Sequence, residues 1–159
     1  MSDRHFKFWP AHSARTLAAP ATNLFYNCEV SARRYPEKPF LVFYDTAVSF
    51  AELFAEAGLI AGFLEQECGV HKGDRVLLLM QNSPQFVIAY YGILRANAVV
   101  VPLNPMNLTH EIARYAEDAV AKTIIVSQEL FSRVEPLLRN SSLQSAIVAA
   151  YSYYLKQPT

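Results

Sequence analysis

A chain of 159 residues has the size of one domain and is long enough to bury a core. Its 14 Lys and Arg balance 14 Asp and Glu, which excludes the basic footprint of a nucleic-acid binder and removes the charge that keeps a protein dispersed. At 52% hydrophobic residues, the composition fits a well-buried α/β domain or a piece of a larger body with an interface left open.

Residues 1–22 read as an irregular arm. Phe6, Phe8, Trp9 and Pro10 need a surface to lie on, either their own domain or a second copy. Arg4, Lys7 and Arg15 are spread through the arm with no apolar run between them, unlike a secretory leader. Residues 23–34 have helical periodicity, with Leu24, Cys28 and Ala32 on one side. Tyr35-Pro36 ends the helix because a residue before proline avoids the α region. Residues 40–44 predict a strand, Asp45-Thr46 a turn and 47–49 a return strand, together a hairpin. Ser49 then caps a helix, and Glu52 three residues on completes a capping box. Phe50, Leu53, Phe54, Ala57, Ile60, Ala61 and Leu64 form its apolar stripe. Gly58 and Gly62 lie four apart there, a spacing that lets another backbone approach. Glu52, Glu56 and Glu65 on the same helix argue against a membrane version of that contact.

Beyond the loop marked by Gly69 and Gly73-Asp74, residues 75–80 are a continuous apolar run, the pattern of a buried parallel strand. Ser83 is a helix N-cap with Pro84 at the first helical position. Phe86, Val87, Tyr90, Tyr91, Ile93 and Leu94 follow, and Asn97 sits where a helix ends in the left-handed conformation. Residues 98–101 predict the next strand. Thr109 starts a helix with Ile112, Tyr115, Ala116 and Ala119 inward and Glu111, Arg114, Glu117 and Asp118 outward. Residues 123–126 are a third strand, 128–139 a helix broken at Pro136, and 145–150 a fourth, weaker strand. The first three strands are expected side by side and parallel, with 83–96 crossing between the first two. The fold class is α/β: a partial parallel sheet flanked by helices, preceded by a helix, a β-hairpin and a helix. The expected division is an arm at 1–22, a scaffold at 23–150 and a linker at 151–159. Val76 to Leu94 is uncharged, but Gln81-Asn82-Ser83-Pro84-Gln85 interrupts it and excludes a membrane span.

Little in this chain carries chemistry by itself. Its five glycines, Gly58, Gly62, Gly69, Gly73 and Gly92, form neither GxGxxG nor GxxxxGK[ST]. The first strand–helix turn contains Pro84, which removes a donor where an anion would need one. No GxSxG elbow is present. His5, His12, His71 and His110 are scattered as surface residues are, and no carboxylate pair has a reason to act together. Cys28 and Cys68 are far apart in sequence and read as free thiols, as a reducing cytoplasm maintains. No catalytic, cofactor-binding or metal-ligating residue is assigned.

The order of several short pieces is more specific than any one of them: Tyr35-Pro36 with Lys38-Pro39, Ser49-Phe50-Ala51-Glu52-Leu53, Gly73-Asp74-Arg75-Val76, Asn82-Ser83-Pro84, and Val101-Pro102-Leu103-Asn104-Pro105 with Glu111. In this order they resemble the start of the AMP-forming acyl-CoA synthetases, and the arm with Trp9-Pro10 looks most like the long-chain fatty acid–CoA ligases. The resemblance implies a two-step reaction of a carboxylate, ATP and CoA, with Mg²⁺. It places the Ser/Thr/Gly-rich phosphate loop, the Tyr-Gly-x-Thr-Glu motif, the ribose-binding Asp and a C-terminal Lys outside this sequence. Residues 1–159 are therefore expected to be an inactive first portion whose partner is the remainder of the synthetase chain. Stand-alone alternatives are a non-catalytic binding module on the same scaffold and an unrelated flavodoxin-like domain. Met106 stands where some relatives have a basic residue near the CoA nucleotide. It is either a CoA-side contact or a half-buried loop residue. Asn97 stands where the family usually has Gly. The implied second sheet would leave the hairpin uncovered here, which predicts a homodimer through the arm or the hairpin.

Overall fold

The computed structural model describes residues 3–154. After a 3-10 helix at Asp3–Phe8, helix α1 spans Leu24–Arg34. Strands β1 (Pro39–Phe43) and β2 (Thr46–Ser49) lead into α2 (Phe50–Gln66). Next come β3 (Arg75–Leu79), α3 (Pro84–Arg95), β4 (Val99–Pro102), α4 (Thr109–Ala119) and β5 (Thr123–Ser127). The two short helices α5 (Phe131–Val134) and α6 (Leu137–Asn140) precede β6 (Ser145–Ala149), and Tyr151–Tyr154 form a final 3-10 turn.

Strands β4-β3-β5-β6 form one parallel sheet, while β1 and β2 pair as a separate antiparallel hairpin. The three expected strands are adjacent and parallel, with α3 connecting the first two. One face of the sheet presents Leu77, Leu79, Ile124 and Val126 to Ile112 and Ala116 of α4 and to Val134 and Leu137 of α5 and α6. The other presents Val76, Leu78 and Ile125 to Ala61 and Leu64 of α2 and Ala89 and Ile93 of α3. Both faces are covered, so the central strands are apolar at 76–79 and 124–126. A third cluster, Phe25, Cys28, Leu53, Ala57 and Ile88, ties α1 onto α2 and α3.

Local chemistry sets the element boundaries. Asn23 Oδ1 accepts from Tyr26 N at 3.0 Å to start α1. At α2, Glu52 N donates to Ser49 Oγ at 3.2 Å and Ser49 N to Glu52 Oε2 at 2.7 Å, the reciprocal cap expected. Ser83 Oγ accepts from Phe86 N at 3.2 Å, with Pro84 opening α3. Asn97 adopts φ 55°, the left-handed geometry expected of it.

Several expectations shift. The arm is not irregular throughout, because residues 3–8 close a 3-10 helix. Its aromatics pack on one another, with Phe6 and Trp9 5.8 Å apart and the Arg15 guanidinium 5.3 Å above Phe6. In α1 it is Phe25, not Leu24, that lies beside Cys28 in the core; Leu24 is exposed. The hairpin turn is Tyr44-Asp45, both at positive φ (45° and 60°), as a two-residue turn matching strand twist requires. Thr46 belongs to β2. Tyr115 faces solvent, while Ile112 and Ala116 carry the inward stripe. Residues 128–139 are a 3-10 turn and two short helices separated at Glu135-Pro136.

The glycine spacing misidentified the close approach. A Cβ on Gly62 would meet nothing within 4 Å, and one on Gly58 would meet the Arg95 guanidinium at 3.2 Å. The close approach is at Gly92 of α3, where a Cβ would lie 2.5 Å from Ile60 Cγ2 and 3.3 Å from Ala57 O of α2.

Helix α4 ends on Val120 at φ 51° and ψ 38°, a left-handed cap on an exposed β-branched residue. Left-handed geometry costs an L-residue roughly 1–2 kcal/mol and glycine almost nothing. Val120→Gly is expected to stabilise the chain by about 1 kcal/mol. Denaturant unfolding checks this, and a lower midpoint in the variant would contradict it.

Candidate functional site

The carboxyl ends of parallel strands are where open α/β sheets hold ligands, because the loops there converge and helix N-termini point toward them. Here the loops after β3 and β4 border a crevice of about 630 Å³. Met80, Gln81, Asn82 and Phe86 form one wall, and the run from Pro102 to Met106 forms the other.

Two amides of the β3–α3 loop are engaged within the chain, and one position has no amide. Gln81 N donates to the Tyr151 hydroxyl at 2.9 Å, Phe86 N is taken by Ser83, and Pro84 has no N–H. Burial pushes the Tyr151 phenol above its ordinary pKa, so this acceptor stays neutral. Gln85 is buried beneath the loop and donates from Nε2 to Ala150 O at 2.7 Å, tying α3 to the end of β6.

The opposite wall is stiffened from within. Asn104 Oδ1 accepts from Met106 N at 2.9 Å. Glu111 caps the start of α4 by accepting from Leu108 N at 2.8 Å and Asn107 Nδ2 at 3.4 Å. Arg133 of α5 reaches across and donates from Nη1 to Pro105 O at 2.8 Å and Asn107 O at 3.1 Å. Nothing in the sequence pattern marked Arg133, since an arginine on a short helix is ordinarily a solvated charge.

Met106 lines the crevice and is 76% exposed, so it is a rim residue and not half-buried. The crevice lining carries no Lys, Arg or His. Among the described residues, no three His, Cys, Asp or Glu side chains are grouped to hold a metal ion, so none is assigned to magnesium. His5, His12, His71 and His110 are all exposed and lie outside this crevice. Cys28 and Cys68 are free thiols, each pushed above its ordinary pKa by burial. Among the described residues, no helix is long and apolar enough to cross a membrane.

Hydrogen bonds from Leu108 N and Asn107 hold the Glu111 carboxyl below its ordinary pKa. A depressed folded-state pKa gives stability that is present above the unfolded value and lost as pH falls through the folded one. Wild type is therefore expected to lose stability between about pH 5 and pH 3 more steeply than Glu111→Gln, whose side chain does not titrate. Parallel acid titrations of thermal unfolding check this, and identical slopes would contradict it.

The fold class is thus a parallel α/β sheet with a crevice at its carboxyl edge, where open sheets of this kind hold ligands. Residues 28–156 match the AMP-binding enzyme family model, and the chain belongs to that family. It is 34% identical over 128 residues to a long-chain-fatty-acid–CoA ligase of Bacillus subtilis (strain 168), covering 80% of this chain and 23% of that protein. A long-chain-fatty-acid-CoA ligase structure from Archaeoglobus fulgidus superposes with a TM-score of 0.75 at 25% identity, covering 84% of this chain and 28% of that one. The anthranilate CoA ligase AuaEII, in complex with anthranoyl-AMP, shares the fold with a TM-score of 0.78 at 24% identity. The chain thus spans about a quarter of the length of these relatives.

Proposed function

We propose that residues 1–159 are the scaffold portion of an ATP-dependent acid–CoA ligase acting on fatty acids, and that they do not carry the phosphate chemistry themselves. The carrying observation is the match of residues 28–156 to the AMP-binding family, together with 34% identity over 128 residues to a fatty-acid ligase of which those residues are 23%. In such a ligase the carboxylate is activated by ATP and then transferred to the CoA thiol. The residues present here do not fit the polyphosphate part of that reaction. The amides of Gln81 and Phe86 are already engaged, and the crevice lining has no cation. This scaffold's contribution is to hold the β4–α4 loop rigid beside the remainder of a longer chain. The division into arm (1–22), scaffold (23–150) and linker (151–159) follows from the same reading, although Tyr151 packs against the core and 155–159 lie outside the described residues. The two free thiols support a reducing, cytoplasmic setting. The exposed aromatics and zero net charge support self-association as a homodimer.

Met106 is the one residue proposed to meet substrate, on the CoA side, and its contact would be apolar because its thioether cannot pair with a phosphate. Titrating isotope-labelled 1–159 with CoA and, separately, with Mg·ATP tests this. The Met106 methyl and the neighbouring loop amides are expected to shift with CoA and not with Mg·ATP. A response to Mg·ATP in the 81–86 loop, or none at Met106 with CoA, would overturn the assignment.

A further inference from the structure

We propose that the arm at residues 4–17 is a docking surface for an anionic lipid bilayer, on which it lies without crossing. The inference stands on the chemistry of the arm and is independent of the ligase reading.

The zero net charge conceals a segregation. From residue 4 to residue 28 the sequence holds Arg4, Lys7 and Arg15 and no Asp or Glu, and the balancing carboxylates lie elsewhere in the chain. Among the described residues, no carboxylate forms an ion pair with any of these three cations, whereas Arg33 and Arg114 each have one. All three are exposed. A 3-10 helix has three residues per turn, so Arg4 and Lys7 stand one above the other on a single face of Asp3–Phe8.

The same segment presents apolar side chains to solvent. Phe6 and Trp9 pack edge to face, and Trp9 Nε1 donates to Ser13 O and Ala14 O, both at 3.2 Å. With Arg15 over Phe6, these contacts fold the arm back on itself. They leave Phe8 89% and Leu17 101% exposed. The indole N–H already has its acceptors, so moving Trp9 into an apolar layer strands no donor.

The occupant follows from charge and apolar surface together. Cations interleaved with Trp, Phe and Leu suit the boundary of a bilayer: lipid phosphates attract the cations, and the rings and Leu enter the acyl margin. A second arm would bring like charges together. A nucleic acid would meet the same cations but offers no apolar phase to Phe8 and Leu17.

Trp9 is the only tryptophan in the sequence, so its emission reports on the arm alone. Residues 1–159 would be titrated with vesicles of equal parts phosphatidylglycerol and phosphatidylcholine, and with vesicles of phosphatidylcholine only. Co-sedimentation would be followed alongside fluorescence. A blue shift of Trp9 and sedimentation of the protein are expected with the anionic vesicles and not with the neutral ones. Replacing Arg4, Lys7 and Arg15 by Gln should weaken partitioning about fivefold for each cation removed. Phe8→Ala with Leu17→Ala should weaken it as well, since both enter the acyl margin. Lys72→Gln with Lys122→Gln, exposed cations outside the arm, should leave it unchanged. Circular dichroism is expected to be the same for all variants. Failure of wild type to bind anionic vesicles would overturn the proposal, as would binding that survives the arm substitutions or is lost equally in the Lys72 and Lys122 variant. Quenching of Trp9 by single-stranded RNA, with no response to vesicles, would overturn it in favour of a nucleic-acid partner.

Discussion

Gly92→Val is expected to be the most damaging single substitution away from the sheet. Helices α2 and α3 form the most extensive helix pair of the fold, and Gly92 is where they approach most closely. A Cβ at that position falls 2.5 Å from Ile60 Cγ2 and 2.7 Å from Ile60 Cβ, far inside van der Waals contact. The Ala57 carbonyl behind it is backbone and cannot swing away. Overpacking of this kind costs roughly 1–3 kcal/mol for one added group, and a branched side chain adds more. Alanine would gain about 1 kcal/mol of helix propensity over glycine, which offsets part of the loss. Gly92→Ala is therefore expected to lose about 1–2 kcal/mol and Gly92→Val about 3 kcal/mol or more in denaturant unfolding. Ile60→Ala in the Gly92→Ala background removes the nearest clashing atom and should restore part of the loss, a coupling readable in a double-mutant cycle. A Gly92→Val variant as stable as wild type would mean that the two helices are further apart than described.

Arg133→Met is the second large effect expected, and it bears on the crevice. The guanidinium makes charge-assisted bonds to two carbonyls of the β4–α4 loop, and such bonds are worth about 1.5–3 kcal/mol each when they are partly shielded from water. Arg133 is half-buried, so the net loss is expected at the lower end, about 2 kcal/mol. The loop should loosen locally before the fold does. Amide exchange at Met106 and Asn107 is expected to quicken in Arg133→Met, while the β3 and β5 amides remain protected. Arg133→Lys, with a point charge in place of a fork, should restore the loop only in part. Unchanged exchange at Met106 and Asn107 would show that the Asn104 and Glu111 bonds hold the wall alone.

The sheet was legible because both faces of it are buried. Val76 to Leu79 and Ile124 to Val126 had to be apolar throughout, and that pattern has one reading between Gly/Asp turns and capped helices. Ser49 with Glu52, and Ser83 with Pro84, announced their helices through backbone groups that need partners at fixed spacing. Contacts between elements distant in sequence left no such signal. Gly58 and Gly62 had the right spacing for a close approach, but only tertiary packing decides which glycine faces a neighbour, and it is Gly92. Leu24 and Phe25 differ by one position on a helix, too little for periodicity to settle which turns inward. Arg133 and Tyr151 act on loops 28 and 70 residues away in sequence, which no local pattern encodes. The absence of a glycine-rich phosphate motif was visible from the start.

Turnover by the purified chain tests most directly whether scaffold and phosphate chemistry are separate in this ligase. Residues 1–159 would be incubated with a long-chain fatty acid, ATP, Mg²⁺ and CoA, with release of pyrophosphate and formation of the thioester both followed. The Bacillus subtilis long-chain-fatty-acid–CoA ligase would serve as the positive control. The predicted result is neither product above a no-protein blank, from a sample whose circular dichroism and cooperative unfolding show it to be folded. Pyrophosphate release or thioester formation by this chain alone would contradict the account.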